Sequence, residues 1–533
     1  MRFFDWIEKF FKFNRDNAEF ELLETERGTP DRYASEDYPS VPVISTKQTD
    51  EISSDLKKNR VDFIKIFHRD INSDAIFRSF ITASGIKGLA IYINGMIDSD
   101  RVNDFLIRPL MRKKTYKSDD MLLNEILNEV LEADEVSSEK KINKIVDAIA
   151  SGQAAFFIDG LNSAIIADVR GFKTRSIGES EGEKCVLGPK EAFTENLRTS
   201  ITQLRRIIKS PDLVAEFRVS DTLNKGTFAI IYLAGKANMS LVDNIKRKLA
   251  AIDTTLVLDV GTVAQFLEKP KYMPLPKILL TEKPDRTAAH ILQGHIAIVI
   301  DGSPEALVLP ATLPALMATT DDVYLKGPLG SILKTVCYLG AFLSLILPGA
   351  FLGMSLYHQG MLSTEVLLTI ITSRKMVYMP LGYELLLLLL VFHFIREASM
   401  RVPGGIGQAI GIIGGIMLGQ AAVSANLVST TSLIIVSLSG LGNFCIPNFQ
   451  LMIASTWARI LLLLAAWAAG FMGLFVALLI IIAAVASTKS FGVPFLSPYA
   501  PKTMSQRPPI FRGVVKNHTR GSDYTNVRGD RRI

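Results

Sequence analysis

The alternation of apolar and polar positions divides the chain into a mixed first part and a nearly uniform second part. Short apolar runs alternate with amphipathic helical stretches from about Val61 to residue 325, which predicts an α/β domain. Beyond residue 326 the apolar runs lengthen to about 20 residues, the length at which a helix crosses about 30 Å of hydrocarbon. We therefore expect a cytosolic α/β domain followed by an α-helical multi-span membrane domain.

The same pattern predicts five regions. They are an amphipathic start and disordered linker at 1–60, a first α/β subdomain at 61–187, a connector helix with a second α/β subdomain at 188–325, a membrane domain at 326–488 and a basic tail at 489–533. The linker is expected because its Pro, Ser, Thr and charged residues show no periodicity. The connector helix is expected from apolar residues three or four positions apart between Phe193 and Ile208.

An internal repeat explains why there are two α/β subdomains. The nine residues from Gly152 to Gly160 recur as Gly294 to Gly302, with five identical positions at an offset of 142. Each copy ends in Ile-Asp-Gly between two apolar runs, which predicts a type I′ hairpin turn because glycine accepts positive φ. Ligand binding or acid–base chemistry by Asp159 and Asp301 is the weaker alternative. We predict a duplicated α/β domain.

The membrane domain carries about five apolar segments. They lie at 331–357, 380–398, 405–424, 427–446 and 459–487. A large amino-terminal domain without a signal peptide is expected to stay in the cytoplasm, and a basic tail favours the same side. Two ends on one side require an even number of crossings. One segment is therefore re-entrant, one is split in two, or the tail lies outside.

Charge follows the same boundaries. Residues 1–329 hold 44 basic and 48 acidic side chains, residues 330–488 hold six and three, and residues 489–533 hold nine and two. The overall net charge of +6 therefore comes from a tail beside the expected membrane. This distribution excludes a single soluble domain and gives no reason to expect a nucleic-acid partner.

Motifs of known enzymes are incomplete or absent. His68-Arg-Asp70 resembles a kinase catalytic loop, but Ala75 stands where that loop needs asparagine and no Asp-Phe-Gly follows. The three cysteines have no Cys-x-x-Cys spacing, and the six histidines have no metal-ligand spacing. We therefore expect no enzyme, no catalytic or metal site, and no cofactor.

The segment 405–424 holds the candidate pathway. Gly407, Gly411, Gly415 and Gly419 repeat every four residues and are expected to pack helices closely, while Gln408, Ile412, Ile416 and Gln420 form the adjacent stripe. The segment is either a tightly packed bundle helix or a helix that lines a polar pathway. Glu384 and Arg459 are membrane-proximal charges that are either buried and functional or placed at the membrane surface.

Several motifs resemble those of one known family. They include Leu347-Pro-Gly-Ala350, Tyr357-His358, Arg396-Glu-Ala398, Gly419-Gln-Ala-Ala-Val423, Ser490-Phe-Gly-Val-Pro-Phe-Leu-Ser-Pro498 and, in the α/β part, Ile300-Asp-Gly-Ser-Pro304. Over about residues 190–498 the chain resembles the A subunit of the GerA family of bacterial spore germinant receptors. Departures such as Lys283, where arginine is usual, and Glu305, where an aromatic residue is common, concern local packing.

The resemblance implies a subunit of a nutrient-sensing receptor in the inner membrane of the bacterial endospore. Its partners would be a transporter-like B subunit and a lipoprotein C subunit, and the A subunit would form a homo-oligomeric ion channel that triggers cation release and germination. Three alternatives remain open. The chain is a non-conducting scaffold, an accessory germination channel without a receptor role, or a subunit whose α/β lobes bind the nutrient.

Overall fold

The structure is a computed structural model. It describes residues 50–112, 120–133, 135–171, 180, 182–183, 185–220, 225–252, 259–268, 274–325, 327–401, 415 and 417–500. The predicted amphipathic start lies outside these residues, and so do most of the predicted segment 405–424 and most of the basic tail.

The first α/β subdomain is built from four helical segments and five strands. Its elements are α1 (Leu56–Ile66), β1 (Ala75–Ile81), β2 (Lys87–Ile93), α2 (Ser99–Arg101 continuing through Val102–Ile107 to Arg108–Arg112), α3 (Asp120–Glu125 continuing as Ile126–Val130), β3 (Val136–Glu139), α4 (Ile142–Ala150), β4 (Ala154–Ile158) and β5 (Ala164–Ala167). Val102–Ile107 and Ile126–Val130 are π-helical.

The second subdomain repeats this order. Its elements are α5 (Leu197–Ile207), β6 (Leu213–Val219), β7 (Thr227–Leu233), α6 (Met239–Ala250), α7 (Val260–Leu267), β8 (Leu279–Thr281), α8 (Pro284–Ile291), β9 (Ile296–Ile300) and β10 (Ala306–Leu309). The predicted connector helix is α5, and it occupies the same place in this copy as α1 does in the first.

Both sheets have the same topology. The first runs β1-β2-β4-β5-β3 and the second β6-β7-β9-β10-β8, with all neighbours antiparallel. Central strands are buried on both faces: Leu89 and Ile91 pack with helices α1 and α4, whereas Ala90 packs with α2 and α3. The sheet is therefore the middle of three layers, which explains why these strands are continuously apolar.

The repeated Asp-Gly turns connect each sheet to the first helix of its own copy. The carboxylate of Asp159 accepts a hydrogen bond from the backbone N–H of Leu56 at 3.3 Å, and that of Asp301 accepts one from Leu197 at 3.0 Å. Each donor is the first residue of a helix, whose N–H groups lack helical partners. The two aspartates therefore have a structural role in this fold.

The predicted turn type is wrong. Positive φ is found at Gly160 (91°) and Gly302 (88°) but at neither preceding aspartate, whereas a type I′ turn needs positive φ at both central residues. The connections are also longer than two residues, since β4 ends at Ile158 and β5 begins at Ala164. The additional length lets the aspartate reach the helix.

A buried ion pair joins the two subdomains. Arg205 of α5 binds Asp74 in two places, from Nε to Oδ2 at 2.9 Å and from Nη2 to Oδ1 at 2.8 Å, and the side chains are only 1% and 3% exposed. Beside the pair, the backbone N–H groups of Ser73 and Ala215 bind Ala215 O and Asn72 Oδ1 respectively. The segment before β1 thus lies along the edge strand β6.

The remaining described chain is mainly helical. It contains α9 (Leu313–Leu316), α10 (Asp321–Tyr324), α11 (Gly327–Leu356), a 3₁₀ turn (Gln359–Met361), α12 (Thr364–Arg374), α13 (Leu381–Arg401), α14 (Thr430–Asn443), α15 (Phe449–Ser487) and a short hairpin of β11 (Lys489–Ser490) and β12 (Val493–Pro494). Residues 417–424 are also helical. We refer to residues 327–487 as the helical region and to the two subdomains as the head.

Two helices of the described residues are long and apolar enough to cross a membrane, α11 over Pro328–Leu356 and α15 over Phe449–Ser487. Among the described residues, the predicted segments 380–398 and 427–446 do not meet that standard. The helix α13 carries Glu384, Arg396 and Glu397, and the 14 residues of α14 rise only about 21 Å. A mixed α/β head followed by a helical region is confirmed, and the number of crossings stays a prediction.

Helix α15 is broken in its middle. Ala469 and Gly470 leave the helical conformation, with Gly470 at φ 58°. A Cβ placed on Gly473 would lie 2.1 Å from the carbonyl oxygen of Ala465, although eight residues of straight helix span about 12 Å. The chain therefore folds back sharply, and residues 449–468 and 471–487 form two helical arms.

Both arms of α15 end beside the head. Leu451 and Met452 of the first arm, Val485 of the second and Phe495 beyond it pack in one cluster with Leu279 and other head residues. After the second arm, Ser490 Oγ donates to Lys277 O at 2.6 Å and accepts from Ala311 N at 3.0 Å. A straight helix of 39 residues would separate its ends by about 58 Å, so the break is what brings them together.

We predict that Asp74→Ala lowers the free energy of unfolding by about 3–5 kcal/mol, because it leaves the Arg205 guanidinium buried without its carboxylate. Chemical denaturation of the purified chain measures the loss. Asp104→Ala is the control, since the Asp104–Arg108 pair is 2.8 Å apart but about half exposed, and such pairs contribute at most about 1 kcal/mol. Equal losses in the two variants would contradict the prediction.

Candidate functional site in the helical region

A buried carboxylate connects three helices at the end of the helical region that is remote from the head. Glu384, in the first turn of α13, is 0% exposed. Its Oε1 accepts hydrogen bonds from the backbone N–H and the Oγ of Ser429, both at 2.6 Å, and its Oε2 lies 3.4 Å from Arg374 Nε at the end of α12. Ser429 in turn caps α14 by accepting a bond from Ser432 N.

The charge of Glu384 is thus compensated from two directions. The guanidinium of Arg374 supplies a full positive charge, and the N-terminus of α14 supplies a partial one. An unpaired carboxylate in such a position would cost several kcal/mol. The sequence left open whether Glu384 is buried or at a membrane surface, and within this chain it is buried.

A second buried charge lies nearer the head. Arg459 of α15 is 2% exposed. Its Nη1 donates to the Oγ of Ser439 at 3.0 Å, and lies 3.4 Å from both Ser439 O and Ser344 Oγ. Arg459 forms no ion pair with any described residue. The described hydrogen-bond partners of its guanidinium group are serines of α14 and α11.

Further polar side chains lie between Arg459 and the head. Asn443 Nδ2 donates to Thr456 Oγ1 at 3.3 Å, and Ser455 Oγ donates to Asn443 Oδ1 at 2.6 Å. Ser455 and Thr456 are one helical turn before Arg459. We call Ser344, Ser439, Asn443, Ser455, Thr456 and Arg459 the polar track. It joins α11, α14 and α15 inside an otherwise apolar region.

The predicted pathway residues are only partly described. Gln408, Ile412, Ile416, Gly407 and Gly411 lie outside the described residues. Gln420 is described and its side chain is exposed. A Cβ on Gly415 would meet no heavy atom within 4 Å, and one on Gly419 would meet only Leu433 at 3.5 Å, an ordinary contact. Neither glycine is closely packed against the described residues, so their role in helix packing stays a prediction.

Other glycines lie at contacts between different helices of the described residues. A Cβ on Gly442 of α14 would lie 2.4 Å from the carbonyl oxygen of Gly340 on α11, and one on Gly353 would lie 3.4 Å from the backbone at Gly470. Tyr357 also donates its hydroxyl hydrogen to Trp467 O at 2.7 Å, which satisfies a carbonyl at the break in α15. Sequence reasoning missed these contacts, although Gly349 and Gly353 form a Gly-x-x-x-Gly motif on α11.

A family model described as the Bacillus/Clostridium GerA spore germination protein matches residues 62–522. The chain belongs to the GerA family. The family inferred from the sequence motifs is therefore confirmed, and this GerA-family chain is an A-type spore germination subunit.

Individual relatives agree with the family model. Spore germination protein KA of Bacillus subtilis (strain 168) is 32% identical over 77% of this chain and 75% of its own length. The uncharacterized membrane protein YfkQ of the same organism is 31% identical over 88% and 90%. The crystal structure of the N-terminal domain of the A subunit of the Bacillus megaterium spore germinant receptor GerK3 covers 50% of this chain and 99% of that one, with 25% identity and a TM-score of 0.39.

The buried polar groups of the described residues differ from those of a metal site. Within these residues, no group of three or more His, Cys, Asp or Glu residues could hold a metal ion. The buried groups of the helical region are instead a carboxylate, guanidinium groups, hydroxyls and an amide. Such groups inside apolar surroundings hold ions and polar ligands.

Gly442→Ala is predicted to destabilise the chain, because the new methyl group would overlap the Gly340 carbonyl and force α11 and α14 apart. Overpacking of this kind costs about 1–3 kcal/mol, and thermal unfolding in detergent would show it. Gly415→Ala is the matched control and should leave the unfolding midpoint of the single chain unchanged. A midpoint in Gly442→Ala equal to that of the parent would contradict the close approach.

Proposed function

We propose that this chain is a membrane subunit of a nutrient-sensing spore germination receptor. In this proposal several copies form a ligand-gated ion channel that triggers cation release and germination. The observation that carries it is the polar track, because buried polar and charged side chains within apolar helices mark ion and substrate pathways. Membership of the GerA family supports the germination role.

The homo-oligomer is supported by what one chain leaves uncovered. No described atom lies within 4 Å of a Cβ placed on Gly415, and Gln420 is exposed. Small residues let a helix of another copy approach closely, and glutamines beside them would then line the shared interface. Gln408, Ile412, Ile416 and Gln420 are the proposed pathway residues, and Gly407, Gly411, Gly415 and Gly419 the proposed packing surface.

The inner membrane of the endospore is the proposed location, with the head and the tail both on the cytoplasmic side. The break in α15 supports this, because it turns one apolar run into two arms that end on the head side. Helix α11 leads away from the head to Gly470, where α15 folds back, and α13 begins beside Trp467. If each of the five predicted segments crosses and α15 is split in two, the number of crossings is six. An even number is what the positive charge of the tail favours.

The proposed partners are a transporter-like B subunit and a lipoprotein C subunit. The support for them is that the named relatives include a spore germination protein of the same family. A non-conducting scaffold is the alternative. Reconstituted oligomers that bind partners yet conduct under no nutrient would favour the scaffold.

Replacing the glutamines by leucine tests the pathway. Gln408→Leu and Gln420→Leu are expected to alter the rate of ion release from spores while the complex still assembles. Each variant replaces a polar side chain on the proposed path by an apolar one of similar size. Potassium release after nutrient addition measures the effect, and pull-down of the complex measures assembly. Gln450→Leu, on an exposed position of α15, is the control. Unchanged release in both pathway variants would rule out these residues as the pathway.

Cysteine labelling tests the crossings. In a variant whose native cysteines Cys185, Cys337 and Cys445 are serine, Ser137→Cys of the head and Lys502→Cys of the tail should react with an impermeant maleimide from the same side of vesicles. Tyr378→Cys should react from the opposite side, since Tyr378 is 94% exposed and lies in the loop between α12 and α13. Labelling of head and tail from opposite sides would contradict an even number of crossings.

A further inference from the structure

Two buried arginines of the helical region lie beside the same part of α14. Arg396 of α13 is 7% exposed and Arg459 of α15 is 2% exposed. Arg396 lies one helical turn after Phe392, whose ring packs against Gly440 of α14, and Gly440 follows the Ser439 that Arg459 Nη1 contacts. His393 lies beside them, with its Nδ1 2.8 Å from Arg396 Nη2. Positive charge is thus concentrated between α13 and α15.

No described carboxylate forms an ion pair with either arginine, and the Nε atoms of both lack a hydrogen-bond partner. The carboxylate of Glu397 acts on Arg396 and His393 without pairing with either arginine. By contrast, Arg374 of the same region has Glu384 at 3.4 Å.

Physical chemistry requires compensation at such a place. Arginine does not lose its proton in proteins, so the cost of burial cannot be removed by neutralisation. Buried charges are therefore paired. Two guanidinium groups with free N–H donors suit an oxyanion, since their planar arrangement matches carboxylate and phosphate oxygens.

We propose that Arg396 and Arg459 hold a small oxyanion between α13 and α15. A phosphate group is the ligand chemistry that we test, supplied either by a free anion or by a lipid headgroup. The polar track gives it a route, because Asn443, Ser455 and Thr456 lead from the head side of α15 towards Arg459. The bound anion would lower the positive potential that otherwise opposes cations near this track.

The test uses the full chain purified in detergent, with inorganic phosphate as the probe. The thermal unfolding midpoint is measured against phosphate concentration at constant ionic strength, with chloride as the replacing salt. A ligand that binds the folded chain raises the midpoint. We expect phosphate to do so and Arg459→Gln to weaken its apparent affinity about tenfold or more, since charge-assisted hydrogen bonds are lost.

Two further variants keep the test informative. Arg101→Gln, at a side chain 61% exposed in the head, should respond to phosphate as the parent does. If Arg459→Gln does not fold, Arg459→Lys is measured instead, because it keeps the charge and loses the planar donor arrangement.

A second arm separates the sources of the anion. Stabilisation by micelles that contain phosphatidylglycerol, lost in the Arg459 variant, identifies a lipid headgroup; stabilisation by inorganic phosphate alone identifies a free anion. Equal responses of the parent and the Arg459 variant would overturn the proposal. So would dissociation of oligomers by Arg459→Gln without any response to phosphate, because an acidic side chain of a second copy would then occupy the site. Binding is read without ion flux, so failure here is distinguishable from failure of the proposed channel.

Discussion

The break in α15 at Ala469 and Gly470 is the constraint on which the arrangement of the helical region depends. It allows the most apolar run of the chain to leave the head and return to it, and the hairpin beyond it then binds Lys277 and Ala311 of the second subdomain. The break itself needs support, since carbonyl groups at the end of an interrupted helix lose their partners. Tyr357 supplies one, and Gly353 lets α11 approach the bend.

The buried charges of this region differ in how they are compensated. Glu384 is held by Arg374 and by the capped end of α14, so the arrangement of α12, α13 and α14 depends on that carboxylate. Arg459 is satisfied only in part, by the hydroxyls of Ser439 and Ser344. In a region of low dielectric an incompletely compensated charge is costly, and such a cost is typical of a site that binds something else. This difference is the reason why we propose a ligand at Arg459 and a structural role for Glu384.

What the sequence could predict depended on how far apart along the chain the interacting residues are. The duplication was visible because the repeated Ile-Asp-Gly segments are local, and periodicity located the head and the apolar region. The function of Asp159 was not visible, because its partner Leu56 is 103 positions away. The pairing of Asp74 with Arg205, which are 131 positions apart, was not visible for the same reason.

Hydropathy also could not show the break in α15, since Ala469 and Gly470 do not interrupt the apolar character of the run. The glycine pattern of 405–424 drew attention to one helix, whereas the close approach found within the chain joins Gly340 and Gly442.

The two subdomains of the head differ in what they contact. The second subdomain contributes Leu279 and Val308 to the apolar cluster that contains both ends of α15. A displacement of this sheet edge would therefore change the packing of the helical region directly. The first subdomain is fixed to the second by the pair of Asp74 and Arg205 and by backbone bonds along β6. A ligand or partner that acts on the first copy can therefore influence the helices through this interface. The interface contains a buried ion pair with two hydrogen bonds, which fixes the placement of one subdomain against the other. A head built in this way suits the coupling of an event outside the helical region to a change of packing within it.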